Sequence, residues 1–459
     1  MALVLGVDSS TQSTKAVLVD ADDGTVVESR SARHPEGTAV DPRAWLRAFD
    51  EAAAPLLPRA EALSVGGQQH GMVALDVDGD PVHDALLWND TRSADAAHAL
   101  IEELGGPAAS AEAVGSVLVA SFTATKLRWL RDHAPGSAAR VHRVLLPHDY
   151  VSWHATGRTV EPFTDHGDAS GTGYYSTSAR TWLPDLAASA LGHEPLLPHL
   201  VEPGAVAATT PDGLLVAAGT GDNMAAALGL GMGPGDLALS IGTSGVASSI
   251  GTVAPHDPSG TVTGFADATG HFLPMATTLN AARILDLQCR LLGVDHESLG
   301  RLAMESVPGA HGVTVLPYYG GERTPNRPDA TGTWHGLTPG TTRADLARAA
   351  VEALLCSLAD AADAVVTQTG KSPLRVLLTG GGSRNPAVQS LAPGILGHSV
   401  SVPAEGEYVA LGAARQAAWA LRGALPEWPL TIDQVLDGQA VPSVREAYAQ
   451  LRDLTEAWS

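Results

Sequence analysis

The chain has 459 residues, 44% of them hydrophobic, which is enough to bury two or three cores. Its 50 acidic residues against 28 basic ones give a net charge of −22, and no block of Lys and Arg exists to neutralise phosphates, which excludes a surface built for nucleic acid or an anionic membrane. Only Cys289 and Cys356 are present, the N-terminal apolar run is broken at Asp8, and no run reaches the length of a membrane span, so free buried thiols in a cytoplasmic protein are expected.

The first element is an apolar run, Leu3-Val4-Leu5-Gly6-Val7-Asp8, leading into Ser9-Ser10-Thr11-Gln12-Ser13-Thr14 and then a second run from Ala16 to Val19. This pattern predicts a hairpin whose tip offers backbone N–H groups and hydroxyls with no bulky side chains in the way. Asp8 ends the first strand, and a carboxylate beside phosphate donors is what Mg2+ takes, often with water between. Lys15 stands near a phosphate or is a solvated strand residue, and the second reading is the stronger. A polar loop follows over 30–42, then a helix over 42–57 and strands over 63–66 and 73–77. Between those strands, Gln68-Gln69-His70 lies among glycines, an amide, amide and imidazole set suited to a polyhydroxy ligand. Trp88-Asn89-Asp90-Thr91-Arg92 adds a second polar cluster beside an aromatic, ahead of a helix over 91–104 for which Asp90 or Thr91 is the competing N-cap reading.

Further on, a strand over 214–218 runs into Gly219-Thr220-Gly221-Asp222-Asn223 and a helix of small residues. Asp222 thus stands at a strand end and a helix start, where α/β proteins place their sites. The helix dipole favours its carboxylate form, so a base here is expected to be ionised at neutral pH; a plain N-cap is the alternative. The glycine-rich stretch from Gly229 to Gly235 then divides the chain into expected lobes 1–231 and 232–459. A second hairpin opens the second lobe: Leu237-Ala238-Leu239-Ser240-Ile241, a tip at Gly242-Thr243-Ser244-Gly245, and Val246-Ala247. Another polar loop is expected over 251–260, a strand over 313–316, and a helix over 343–369 with Asp360 and Asp363 facing outward. A strand over 374–379 then enters Gly380-Gly381-Gly382-Ser383-Arg384-Asn385, where backbone approaches a nucleotide closely, and a helix over 407–421 follows. Two hairpin tips, one heading each half of an alternating α/β chain, fit two related lobes that grip a polyphosphate, the layout of an ATP-dependent phosphotransferase.

Longer patterns carry a family resemblance. Ser121-Phe122-Thr123-Ala124-Thr125-Lys126-Leu127-Arg128-Trp129-Leu130-Arg131-Asp132-His133 resembles one signature of the FGGY carbohydrate kinases, and Gly332-Thr333-Trp334-His335-Gly336-Leu337, continuing to Glu352, resembles the other. The strings Gln68–Gly71, Leu87–Asp90, Leu146–Tyr150, Gly221–Asn223 and Gly321–Pro325 resemble the members that act on D-xylulose. The resemblance implies a two-lobed, actin-like or RNase H-like ATPase fold with a duplicated sheet core, and a homodimer. It also implies Asp222 as base, Gln69 and His70 on the sugar, and Asp8 near magnesium and phosphate. Two positions depart from the family pattern. Ser10 replaces a glycine of the first hairpin, which costs about 1 kcal/mol if that position needs φ > 0. Gln69 stands where methionine is common, which bears on sugar preference.

The combined expectation is transfer of the γ-phosphoryl group of ATP, with Mg2+, to the C5 hydroxyl of D-xylulose. Asp222 and Asp8 are the catalytic residues; Gln69, His70, Trp88, Asp222 and Asn223 bind the sugar. Ser10, Thr11, Gln12, Ser13 and Lys15, with Gly242, Thr243 and Ser244, hold the phosphates across a cleft. Gly381, Gly382 and Asn385 take the adenosine side. A kinase of the same family acting on another ketose or polyol, and an actin-like ATPase without an acceptor sugar, are the other readings; neither involves nucleic acid or membrane.

Overall fold

The computed structural model describes residues 2–456, which pack as two units. The first runs to Met232 and adds Thr252–Leu273 and Gly406–Leu430; the second holds Gly233–Gly251, Pro274–Glu405 and the chain from Thr431 onward.

The expected hairpin at the start forms from strands Leu3–Ser9 and Ser13–Asp20, paired antiparallel with Asp8 opposite Lys15. Its sheet has the strand order Val206–Thr209, Leu215–Ala217, Ala62–Gly67, Leu3–Ser9, Ser13–Asp20, Val26–Arg33. Both faces of the central strands are covered, which explains their unbroken apolar runs. Leu5, Val7, Ala16 and Leu18 face Trp45 and Phe49 of helix Arg43–Ala52. The alternate residues Val4, Val17 and Val19 face an alanine stripe, Ala410, Ala414, Ala417 and Ala418, on helix Tyr408–Arg422. That helix touches backbone: a Cβ at Gly6 would lie 2.0 Å from the Ala410 carbonyl, and one at Gly412 would lie 1.8 Å from that of Ala225. Glycine at both positions lets one helix seat the strand that carries Asp8 and the helix Asp222–Gly229.

The second sheet repeats the plan. Six of its seven strands run, in order, Ile432–Leu436, Val400–Pro403, Arg375–Thr379, Asp236–Ile241, Gly245–Ser249, Phe272–Thr278. In each sheet, read from that edge, an antiparallel step is followed by two parallel ones and then by the hairpin and a further antiparallel strand. The core is therefore duplicated.

Helix Arg343–Thr369 has the expected bounds, because the Thr342/Asp345 capping box starts it and Gly370 in the left-handed conformation ends it. Other elements differ from expectation for local reasons. The helix expected over 42–57 stops at Ala52, since Pro55 lacks an N–H and disfavours helix before it. Strand Val26–Arg33 occupies part of the expected polar loop; its ladder is made by backbone, so its polar side chains gave no signal. Asp360 is not outward: Arg452, at 2.6 Å, and Arg445 pair with it from helix Pro442–Leu454. The helix expected from 91 starts at Ala94; Asp90 instead accepts the Arg92 N–H in a local turn. Cys289 and Cys356 are free and buried. Among the described residues no helix is long and apolar enough to cross a membrane.

Candidate active site

Three strand ends in the first unit are in register. Asp8 is opposite Gly66 and Ser9 opposite Gly67 in the parallel ladder, while the short strand Thr220–Gly221 pairs with Gly66 and Gly67 from the other side. The residues that follow these ends are the Ser10–Gln12 tip, Gln68–His70, and Asp222–Asn223. Ligands of open α/β sheets bind at such carboxyl ends.

Asp8 is buried and accepts a hydrogen bond from the Ser10 hydroxyl; burial still pushes its pKa up to about 6. Ser10 does not take positive φ, so the serine at this family glycine position carries no left-handed strain. Asp222 opens helix Asp222–Gly229 but does not cap it; its Oδ1 accepts from the Asn223 N–H at 2.9 Å and from Asn223 Nδ2 at 3.1 Å. The expectation of a carboxylate ready at neutral pH is corrected. The protein packed around the carboxyl, with the Asp8 and Asp168 carboxylates adding to it, pushes Asp222 up to about 8 and outweighs the dipole of a short helix.

Two carboxyl groups of raised proton affinity at adjoining strand ends fit a divalent cation, which favours their ionised forms. Among the described residues no group of three or more His, Cys, Asp or Glu is placed to hold a metal. Such a cation would take most of its ligands from phosphate and water, as Mg2+ does.

Gln69 is buried; its Oε1 accepts from Asn223 Nδ2 at 2.8 Å, and its Nε2 has no hydrogen-bond partner within the protein. His70 adopts φ 67°, and its Nδ1 lies 2.6 Å from the Gly171 carbonyl. A carbonyl only accepts, so Nδ1 carries the proton. The ring is flanked by Phe122 and Phe265, with centroids 5.1 and 5.7 Å away. Its unusual backbone is held by the fully buried Lys126, whose Nζ donates to the His70 carbonyl at 2.6 Å, and by the Thr123 hydroxyl at 3.2 Å. Trp88, 46% exposed, donates from Nε1 to Thr11 Oγ1 at 2.9 Å and so joins the Trp88–Arg92 stretch to the hairpin tip. Lys15 pairs with Glu407 at 2.6 Å on the surface.

Two contributors were not read from the sequence. Lys126 lies inside a signature string, yet nothing local marks its carbonyl contacts. His34 sits in the stretch read as a loop; its Nδ1 donates to the Ser10 carbonyl at 2.9 Å and its Nε2 takes the Thr14 hydroxyl at 2.8 Å, clamping the hairpin. Burial lowers the His34 pKa, in keeping with this neutral, one-donor one-acceptor role.

In the second unit the tip Gly242–Ser244 is fixed to helix Ala282–Leu292 through the Thr243 and Gly242 carbonyls, which accept from the Ala281 and Ala282 N–H groups. Nearby, a cavity of about 480 Å³ is lined by Leu285, Asp286, His296, Gly381, Gly382 and Asn385. Asn385 caps helix Pro386–Leu396, with Oδ1 accepting from the Ala387 N–H at 2.9 Å, and its Nδ2 donates to the His296 carbonyl. Its side chain therefore shapes the cavity wall. Gly382 allows close packing there, since a Cβ would lie 2.3 Å from Ile241 Cγ2.

Residues 3–229 match the N-terminal domain, and residues 237–421 the C-terminal domain, of the FGGY family of carbohydrate kinases. The chain belongs to that family. A xylulose kinase of Streptomyces rubiginosus is 47% identical over 443 residues, covering 92% of this chain and 89% of that protein. The crystal structure of a xylulose kinase from Bifidobacterium adolescentis superposes with a TM-score of 0.93 at 45% identity, over 98% of this chain and 99% of that one. A Plasmodium falciparum glycerol kinase, 18% identical with a TM-score of 0.85 over 100% of this chain and 97% of that one, shares the fold. This is the actin-like ATPase fold implied by the sequence, and FGGY kinases use ATP with a divalent metal.

Proposed function

We propose that this FGGY kinase phosphorylates D-xylulose at its C5 hydroxyl, using Mg-ATP, with Asp222 as the general base. The observation that carries the reading is the register of the three strand ends, which sets Asp8, Gln69–His70 and Asp222–Asn223 side by side in one unit. The sugar is taken from two Streptomyces xylulose kinases that are 47% identical to this chain.

Gln69 and Asn223 form one hydrogen-bonded pair that orients Asp222, and the unpartnered Gln69 Nε2 offers a donor to a sugar hydroxyl. His70 is held in one tautomer by the Gly171 carbonyl and contributes its ring to the sugar site beside Gln69. Asp8 would hold Mg2+, which when bound would supply charge neutralisation for the transferred phosphoryl group. Asp222 accepts the C5 hydroxyl proton as that oxygen attacks phosphorus. In a loose transition state positioning contributes more than the base, so the aligned strand ends and the hairpin amides at Ser10–Ser13 and Gly242–Ser244 carry most of the rate. Gly381, Gly382 and Asn385 bound the adenosine site. Trapping the hydroxyl close to Asp222 also favours the sugar over water as acceptor.

Nuclear magnetic resonance of the product tests the regiochemistry. Phosphorus coupling should appear at the C5 methylene of xylulose; coupling at C1, or free inorganic phosphate as the main product, would refute this assignment.

A further inference from the structure

Behind the Asp222 turn lies a fully buried cluster of one imidazole and three carboxyl groups: His148, Asp149, Asp165 and Asp168. His148 Nδ1 is 2.6 Å from Asp168 Oδ2, and its Nε2 is 3.2 Å from Asp149 Oδ1. Burial opposes the imidazolium, but Asp149 and Asp168 outweigh it and lift its pKa to about 9. Replacing a buried charge cluster by apolar side chains of equal volume is often neutral or stabilising, so bulk stability does not explain it. Directional bonds, by contrast, fix distances between chain segments.

Those bonds reach the site at two ends. Thr220, two residues before Asp222, donates from Oγ1 to Asp165 Oδ2 at 2.6 Å. Asp165 Oδ1 accepts the Asp168 N–H at 2.8 Å, which starts the turn His166–Ala169. The same segment ends at Gly171, whose carbonyl accepts the hydrogen bond from His70 Nδ1. His148 wedges underneath: a Cβ at Gly219 would lie 2.5 Å from its Cδ2, and one at Gly67 would lie 2.8 Å from its Cβ. Asp168 Oδ1, buried without a hydrogen-bond partner, is 3.1 Å from where a Cβ on Gly221 would sit.

We infer that residues 165–171 form a strut that sets the distance between the Asp222 turn and the sugar-facing ring of His70, with Thr220 and His148 as its positioning contacts. This rests on the reading of Asp222 as base. The strut acts by keeping Asp222 aligned with a hydroxyl that His70 and Gln69 have placed. Misplacing a reacting group by about 1 Å costs on the order of 10²-fold in rate.

The test compares Thr220→Val, which keeps shape and loses the hydroxyl, with Thr220→Ser, which keeps the hydroxyl, each alone and in an Asp222→Asn background. Rates are taken on the wild type's best acceptor sugar, at saturating Mg-ATP and well below each melting temperature. Thr220→Val should lower kcat about 10- to 100-fold with sugar KM changed less than about threefold, and Thr220→Ser should restore most of it. In the Asp222→Asn background Thr220→Val should add little, because the two act through one group. Should Thr220→Val not fold, Thr220→Ala is read the same way. A wild-type kcat in Thr220→Val, or a full additional loss in the Asp222→Asn background, overturns the strut. A fully active Asp222→Asn enzyme overturns the base reading instead.

Discussion

Asp222→Asn should lower kcat for sugar phosphorylation by about 10²- to 10⁴-fold, the usual contribution of a positioned general base, while ATP binding measured by calorimetry stays unchanged. The substitution keeps the side-chain shape and an oxygen that can accept from Asn223, and removes only the ability to take a proton. The pH behaviour follows from the same group. In the ligand-free protein Asp222 binds its proton up to about pH 8, so wild-type kcat/KM should fall as the medium becomes more acidic, with the limb moved below pH 8 once a cation lies beside Asp8. That limb should be absent in Asp222→Asn. Stability runs the other way. The folded pKa is raised from 3.8 to about 8, so the favourable contribution of the protonated carboxyl is complete below pH about 4 and lost as pH rises through 8. Ligand-free Asp222→Asn should therefore melt higher than wild type at pH 8 and above, a gain in stability where function is lost. An unchanged kcat would remove Asp222 from the chemistry.

Gly412→Ala should be the most damaging conservative change in the first unit. The added Cβ would stand 1.8 Å from the Ala225 carbonyl and 2.8 Å from the Gly229 N. These are backbone atoms of the helix that Asp222 begins, so no side-chain rotation relieves the overlap. Overpacking of this kind costs about 3 kcal/mol or more. Because helix Tyr408–Arg422 also seats the strand that carries Asp8, the melting temperature and kcat should fall together. Gly136→Ala is the control: no atom lies within 4 Å of its added Cβ and its φ is not positive, so stability should stay within about 0.5 kcal/mol. Thermal melts of the two variants beside wild type decide this; equal melting temperatures would mean the helices part without resistance.

Local grammar made much of this legible. The hairpins, the strand–turn–helix at Asp222 and the start and stop of helix Arg343–Thr369 are written in short-range patterns of apolar period, glycine and capping residues. What escaped depends on partners distant in the chain. No neighbour of His34 announces that it clamps Ser10 and Thr14, and none of His148 announces Asp168. Strand Val26–Arg33 is polar because its side chains are largely exposed while its backbone pairs. The protonation of Asp222 was misread for the same reason. Its own helix end is visible in the sequence, whereas the surrounding protein and Asp168 that dominate its proton affinity are brought in by the fold.

ADP release coupled to NADH oxidation, with Mg-ATP and a panel of D-xylulose, D-ribulose, L-ribulose, glycerol and D-gluconate, tests the central claim most directly. The account predicts strong stimulation by D-xylulose, with kcat/KM at least about tenfold above every other acceptor, a gap of about 1.4 kcal/mol. A preference for another sugar would contradict the D-xylulose assignment, and slow ADP release that no sugar accelerates would contradict the kinase itself.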